Sequence, residues 1–322
     1  MKSIVRFTVI IPHRDLPAHY LRRCLDSIPH EEDVQIIVVD DASDMAIVGV
    51  SHLPGEGEPC TEVVRLDTNH GPGYARNLAL QKAKGEWIFF ADADDYLQTD
   101  NLMCLMELLR NRQIPYECIY FGLSERDLSG NISLEQLGCT GTDILPLADT
   151  LRNRLFVDMH QSWRKTVKRS AIEQLHLHFA EIVMLEDILF SIRLLNETSH
   201  VGVFPPIIYC YERRASSTTQ HRLVKTDIEG MNAVIDANRY FRQKSMPHRV
   251  SIGAKFLAQV RQDSYWQYMR LFLKEAFLVD WSTALHDRQM AIEGFLHRNP
   301  NPLLAWIQDM RVKVGRWRRR SK

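Results

Sequence analysis

Residues Gly85 to Leu97 read Gly-Glu-Trp-Ile-Phe-Phe-Ala-Asp-Ala-Asp-Asp-Tyr-Leu. The run Trp87 to Phe90 is too short for a long helix and is rich in aromatic and branched residues, so it predicts a buried strand. That strand delivers three acids, Asp92, Asp94 and Asp95, to one edge of a sheet. Carboxylates this close repel one another, and burial raises their pKa values unless a cation or a set of donors offsets the repulsion. The residues allow two readings. One is a hard-cation site beside a phosphate-bearing ligand; the other is an acidic turn that caps a helix starting near Thr99 or Asp100.

Upstream, Phe7 to Ile11 is an apolar strand that stops at Pro12, and a helical pattern follows through Leu21, Cys24, Leu25 and Ile28. Val34 to Val39 is a second buried strand, ending in Asp40, Asp41, Ala42 and Ser43. Strand, helix, strand at this spacing is a parallel crossover unit, and such sheets bind ligands just beyond their strand ends. Ser51 to Pro59 reads as a loop, and Val63 to Leu66 as a third strand leading into Asn69, His70, Gly71, Pro72 and Gly73. Glycines before a helix let backbone donors approach a phosphate, and the helix that follows carries Arg76 and Asn77.

Downstream, Leu102 to Leu109 predicts a helix, Cys118 to Phe121 a strand, Ser124 to Asp143 a hairpin or surface excursion, and Leu151 to Leu155 the start of another helix. Ile188, Leu189, Ile192 and Leu195 repeat with helical period, which places Glu186 and Asp187 in the first turn, where acids suit the helix dipole. Val201 to Val203 predicts a strand, Pro205 and Pro206 a turn, and Ile207 to Tyr211 a further strand, followed by Glu212, Arg213, Arg214 and the hydroxyl run Ser216 to Thr219. From Asp227 the pattern is helical, with runs at Ile228 to Phe241 and Ile252 to Trp281, so His221 to Thr226 reads as a boundary.

The chain has 322 residues, 45% hydrophobic and 25% charged, which suits a folded protein with more than one core. Lysine plus arginine equals aspartate plus glutamate at 40 each, so no overall field selects nucleic acid. Six cysteines without a Cys-x-x-Cys pair point to a reduced protein, and the absence of a signal-like or membrane-length apolar run points to the cytoplasm. The tail from Pro302 to Lys322 sets Leu303, Trp306, Ile307 and Met310 beside Arg311, Lys313, Arg316 and Arg318 to Arg320. That composition suits either an anionic membrane surface, on the inner face of the cytoplasmic membrane, or a basic terminus in solvent.

Taken in order, Ile10 to Pro12, Val39 to Asp44, the Asn69 to Asn77 loop and the Phe90 to Leu97 acids resemble family 2 glycosyltransferases of the GT-A fold. Further on, Trp163 to Arg169, Phe179 to Glu181, the Glu186, Asp187 and Phe190 cluster, and Tyr211 to Thr218 are similar to the acceptor half of that family. The resemblance covers roughly the first two thirds of the chain. It implies an α/β fold, a mixed and mainly parallel Rossmann-like sheet flanked by helices, followed by a C-terminal helical region. The expected division is a nucleotide-sugar-binding half at 1–112, an acceptor-binding and catalytic half at 113–222, and a helical region with a basic tail at 223–322.

Carried over by residue, the resemblance implies a nucleoside-diphosphate sugar donor, with Asp41 accepting a hydrogen bond from the base and Pro12 shaping the pocket wall. Asp92 would face the ribose or support the metal, and Asp94, the end of an Asp-x-Asp motif, would coordinate Mn2+ or Mg2+ bridging the two phosphates. Arg76 would reach the diphosphate or anchor its loop, and Arg213 and Ser216 would close over the donor. Asp187 would be the base that deprotonates the acceptor hydroxyl, with Glu186 as the second candidate. His221 is a further candidate metal ligand. One base and an in-line displacement imply inversion at the anomeric carbon.

Two features depart from the family pattern. Arg14, with His13 before it, stands where many members carry an aromatic that stacks on the base; arginine can itself stack, so uridine remains the expected base. The Gln-x-x-Arg-Trp signature of processive polymer synthases is absent, which favours single additions to a glycan or glycolipid acceptor in polysaccharide or lipopolysaccharide synthesis. The alternatives are a nucleotidyltransferase, whose glycine-rich, lysine-bearing loop is missing after the first strand, and a nucleotide-binding module without activity.

Overall fold

The computed structural model describes residues 4–125, 141–158, 161–212 and 224–298. They fall into two compact units, Met1–Gln220 and His221–Lys322. The first unit contains β1 (Phe7–His13), α1 (Ala18–Asp26), β2 (Val34–Asp40), α2 (Met45–Val48), β3 (Thr61–Arg65), α3 (Pro72–Lys82), β4 (Trp87–Phe90), β5 (Tyr96–Leu97), α4 (Thr99–Asn111), β6 (Cys118–Glu125), β7 (Leu145–Pro146), α5 (Asp149–Asp158), a 3-10 turn (Ser162–Arg164), β8 (Lys165–Lys168), α6 (Arg169–Gln174), α7 (Ile188–Glu197) and β9 (Val201–Tyr211). The second contains α8 (Val224–Gln243), α9 (Gly253–Asp263), α10 (Tyr265–Leu278) and α11 (Trp281–Arg298).

The strands form one mixed sheet in the order β3-β2-β1-β4-β8-β6-β9-β5, with β7 beside β9. β3, β2, β1 and β4 run parallel, so the ends of β1, β2 and β4 deliver Pro12 and His13, Asp40 and Asp41, and Asp92 to one edge. β2 and β4 are buried at every residue, as strands covered on both faces must be. Gly85 is required where the chain crosses β1: a Cβ there would lie 2.5 Å from the Thr8 amide nitrogen. β8 is antiparallel to both β4 and β6 and joins the two halves of the sheet.

Three local expectations are corrected. Pro205 and Pro206 do not turn the chain; β9 runs through them, and its register against β6 jumps from Phe121 opposite Phe204 to Gly122 opposite Ile207. A bulge lets prolines sit in a strand without breaking the ladder, and Gly122 makes room for it, since a Cβ there would meet the Pro205 carbonyl oxygen at 2.6 Å. Asp95 does not cap α4, because β5 intervenes. Glu186 and Asp187 precede α7 rather than occupying its first turn: Asp187 is the residue before the helix, and Leu185, at φ 62°, turns the chain just ahead of them.

In the helical unit the long run from Ile252 is broken twice. Ser264 is extended and its hydroxyl accepts from the Gln267 amide, starting α10. Asp280 accepts from the Thr283 amide at 2.7 Å and starts α11. The predicted Ser124 to Asp143 excursion, apart from its first and last residues, the Arg213 to Thr219 segment with Arg213, Ser216 and Thr218, His221, and the basic tail all lie outside the described residues.

Candidate active site

The acid turn is built on an aromatic support. Trp163 stacks on Tyr209 with centroids 4.4 Å apart, and the Tyr209 hydroxyl accepts from the Asp92 amide at 3.0 Å while donating to Asp95 Oδ2 at 2.6 Å. Asp95 Oδ1 accepts from the Glu212 amide at 2.9 Å. Asp95 is buried, and burial together with the neighbouring Asp92 and Asp94 charges pushes its carboxyl up to about 8. It ties the turn to the end of β9. Carboxylate oxygens of Asp92, Asp94 and Asp95 lie within 4.8 Å of one another.

Arg76, on α3, is 3% exposed and joins two regions of sequence. Its Nη2 donates to Asp92 Oδ1 at 2.6 Å and its Nη1 to Glu186 Oε1 at 2.5 Å. Burial pushes the Glu186 carboxyl up to about 7 in spite of that guanidinium. Asp92 is also raised, again by burial first. Beside Glu186, Asp187 accepts from the Ser162 amide through Oδ2 at 2.8 Å. Lys165 lies deeper, donating to the Gln161 carbonyl at 2.6 Å and to Ser191 Oγ at 3.0 Å, and burial lowers its ammonium to about 8.

The loop that carries Glu186 and Asp187 is clamped to the glycine loop. Asn77 donates to the Phe179 carbonyl at 3.0 Å and accepts from the Phe179 amide at 2.8 Å. Gly71 has φ 91°, and a Cβ on Gly73 would stand 1.8 Å from the Ala180 carbonyl oxygen, so neither position admits a side chain without moving that loop. Phe179 stacks on Phe190 at 4.2 Å, and Phe90 meets both edge-on, anchoring loop and α7 to β4.

At the ends of β1 and β2, both oxygens of Asp41 are engaged: Oδ1 accepts from the His70 amide at 2.7 Å and Oδ2 from the Gly71 amide at 2.8 Å. Arg14 is exposed, with Nη1 3.2 Å from the Asp41 carbonyl oxygen. Pro12 is the penultimate residue of β1, facing Val39 across the ladder. His13 is buried, its Nδ1 2.8 Å from Asp40 Oδ1 and its Nε2 3.3 Å from the Leu16 carbonyl oxygen. Hydrogen bonds from His13 and Ser43 keep the Asp40 carboxyl below its usual range although burial opposes them. Asp15 and Ala42, at φ 44° and 57°, hold these loops in left-handed backbone, a strain tolerated where surrounding contacts fix the chain.

Among the described residues, Asp92, Asp94, Arg76, Glu186 and Asp187 thus gather at one edge of the sheet, with Pro12, Arg14 and Asp41 at the neighbouring strand ends. Sequence reasoning assigned no role to Tyr209, Asn77, Ser162 or the His13–Asp40 pair. Asn77 alone left a signal, an asparagine, a poor helix former, in the interior of α3 beside Arg76.

A family model described as glycosyl transferase family 2 matches residues 8–127. The chain is 27% identical over 233 residues to the putative glycosyltransferase EpsH of Bacillus subtilis, covering 70% of this chain and 66% of EpsH. It is 32% identical over 299 residues to the poly(ribitol-phosphate) beta-N-acetylglucosaminyltransferase TarS of Staphylococcus aureus, covering 90% of this chain and 50% of TarS. The chain therefore spans half to about two thirds of the length of these relatives. The crystal structure of S. aureus TarS 1-349 in complex with UDP-GlcNAc superposes with a TM-score of 0.66 at 17% identity, covering 89% of this chain and 88% of that one. The sheet order, the acid turn after β4 and these likenesses agree: the chain carries a glycosyl transferase family 2 domain of the GT-A fold.

Proposed function

We propose that the chain is a metal-dependent, inverting glycosyltransferase. It moves one sugar per visit from a nucleoside-diphosphate sugar, with uridine as the base, to a hydroxyl of a glycan or glycolipid in surface-polysaccharide synthesis. The observation that carries this reading is the Asp92–Arg76–Glu186 bridge, which brings the acids after β4 and those before α7 into one site. TarS, whose name gives N-acetylglucosamine transfer and whose crystal complex holds UDP-GlcNAc, supports the donor class.

Asp92 and Asp94 offer the all-oxygen donor set that Mn2+ or Mg2+ takes, and they would hold it. Asp95 fits less well, since both its oxygens already accept hydrogen bonds. When bound, the cation supplies charge neutralisation to the departing diphosphate. Arg76 serves the donor through Asp92, whose carboxylate it orients. Asp187 accepts the proton of the acceptor hydroxyl, its orientation set by the Ser162 amide, while Glu186 holds the other end of Arg76. A single base on the acceptor side produces inversion.

At the base pocket, Asp41 fixes the His70 and Gly71 amides and so shapes the wall beside Pro12, and the exposed Arg14 guanidinium supplies a flat stacking surface. Arg213 and Ser216, outside the described residues, are proposed to contact the diphosphate.

The test is nucleoside-diphosphate release from a panel of nucleotide sugars, with and without a chelator, for the parent and Asp94→Ala. Uridine donors should support release, and chelation or the substitution should lower it by about a hundredfold or more. Equal release by parent, chelated parent and variant would refute the metal-dependent reading.

A further inference from the structure

The helical unit carries a surface that the proposed chemistry does not use. On α10, Tyr268, Leu271, Phe272 and Ala276 form a buried side, whereas Trp266, Leu273 and Phe277 are 83%, 39% and 71% exposed. At about 100° per residue, Trp266, Arg270, Leu273 and Phe277 fall within about 60° of arc and extend roughly 16 Å along the helix. The stripe continues onto α11, where the Trp281 ring lies 5.9 Å from that of Phe277 and Leu285 follows one turn later. A bundle helix in water needs one apolar stripe. This one has two, and no described residue of the helical unit covers the second.

Its composition identifies the occupant. Two tryptophans, a phenylalanine and two leucines in one strip exceed the scattered apolar residues of an ordinary surface, and tryptophan favours the level of lipid headgroups. Arg270 sits within the strip and the acid of α10, Glu275, is on the buried side, so the charge on the outer face of this helix is cationic; Asp280, at the junction to α11, is engaged by the Thr283 amide and hydroxyl. The chain beyond α11 adds Arg311, Lys313, Arg316, Arg318, Arg319, Arg320 and Lys322 without a single acid from Arg311 onward. Pairing two copies through this strip would set like charges against one another, whereas an anionic bilayer accepts both the aromatic and the cationic groups.

We propose that the outer face of α10 and the start of α11 form an interfacial docking surface for an anionic lipid bilayer. Trp266, Leu273, Phe277, Trp281 and Leu285 enter the headgroup region and Arg270 pairs with lipid phosphate.

The full chain is sedimented with vesicles of phosphatidylcholine alone and of phosphatidylcholine with phosphatidylglycerol. The parent should partition onto the anionic vesicles with a blue shift of tryptophan emission. Trp266→Ser with Phe277→Ser should lower that partition about tenfold or more while keeping the parent's circular-dichroism melt. Trp266→Ser alone, at the most exposed position of the strip, serves if the double variant folds poorly. Three results would overturn the proposal: no binding by the parent, parental binding by the variants, or a parent dimer that the variants dissolve. The second would assign binding to the basic tail, and the third would make the strip a contact between copies.

Discussion

Glu186→Gln tests the electrostatics of the site in isolation from its chemistry. Two effects compete at Glu186. Its ion pair with Arg76 favours the carboxylate, and burial opposes it; burial wins, leaving the carboxyl at about 7 against an ordinary 4.5. The folded state therefore holds this proton more tightly than the unfolded chain. Its contribution is intact below about pH 4.5 and is lost as the pH rises to about 7, a change of about 3 kcal/mol. Glutamine keeps an oxygen for Arg76 Nη1 and removes the ionisation. Thermal unfolding of the donor-free protein should show parent and variant melting together near pH 5. By pH 8 the variant should melt higher by about 6 to 12 °C, at roughly 2 to 4 °C per kcal/mol for a domain of this size. If the variant instead melts lower at pH 8, the Arg76 pair outweighs burial, and the loss should approach the about 3 to 5 kcal/mol of a broken buried pair.

Asn77→Ala strips both hydrogen bonds from the Phe179 backbone and should cost about 2 kcal/mol or more, read by urea unfolding, with a fall in turnover because the freed loop carries Asp187. An unchanged unfolding midpoint would show that the clamp contributes nothing. Gly73→Ala gains about 1 kcal/mol of helix propensity but drives a methyl into the Ala180 carbonyl, with Glu186 Cβ only 3.2 Å away. A lower melting temperature than the parent is expected, and a higher one would mean that the loop yields without cost.

The parallel half of the fold was legible because its strands are uninterrupted apolar runs and each ends in residues of a different kind: Pro12, Asp41, then the acids. β8 was not, because Lys-Thr-Val-Lys is polar by composition, yet its first three residues are buried, with Lys165 satisfied by Gln161 and Ser191. The support of the acid turn was equally hidden. Tyr209 lies 114 residues from Asp95, and nothing local to either marks the bond between their side chains. The placement of Glu186 and Asp187 before the helix depends on Leu185 adopting left-handed backbone, which a leucine does not announce. The chemistry-bearing residue types were readable along the chain; the contacts that hold them were long-range.

β8 also limits how the first unit can move. Hydrogen-bonded to β4 on one side and β6 on the other, it acts as a rivet through the middle of the sheet. A hinge between the flanking halves would have to shear both ladders at once, and shearing in-register strands exposes paired amides and carbonyls together. Within this unit, opening and closing about a ligand is thereby left to loops at the sheet edge, and the spacing between β4 and β6 behaves as a fixed dimension of the framework.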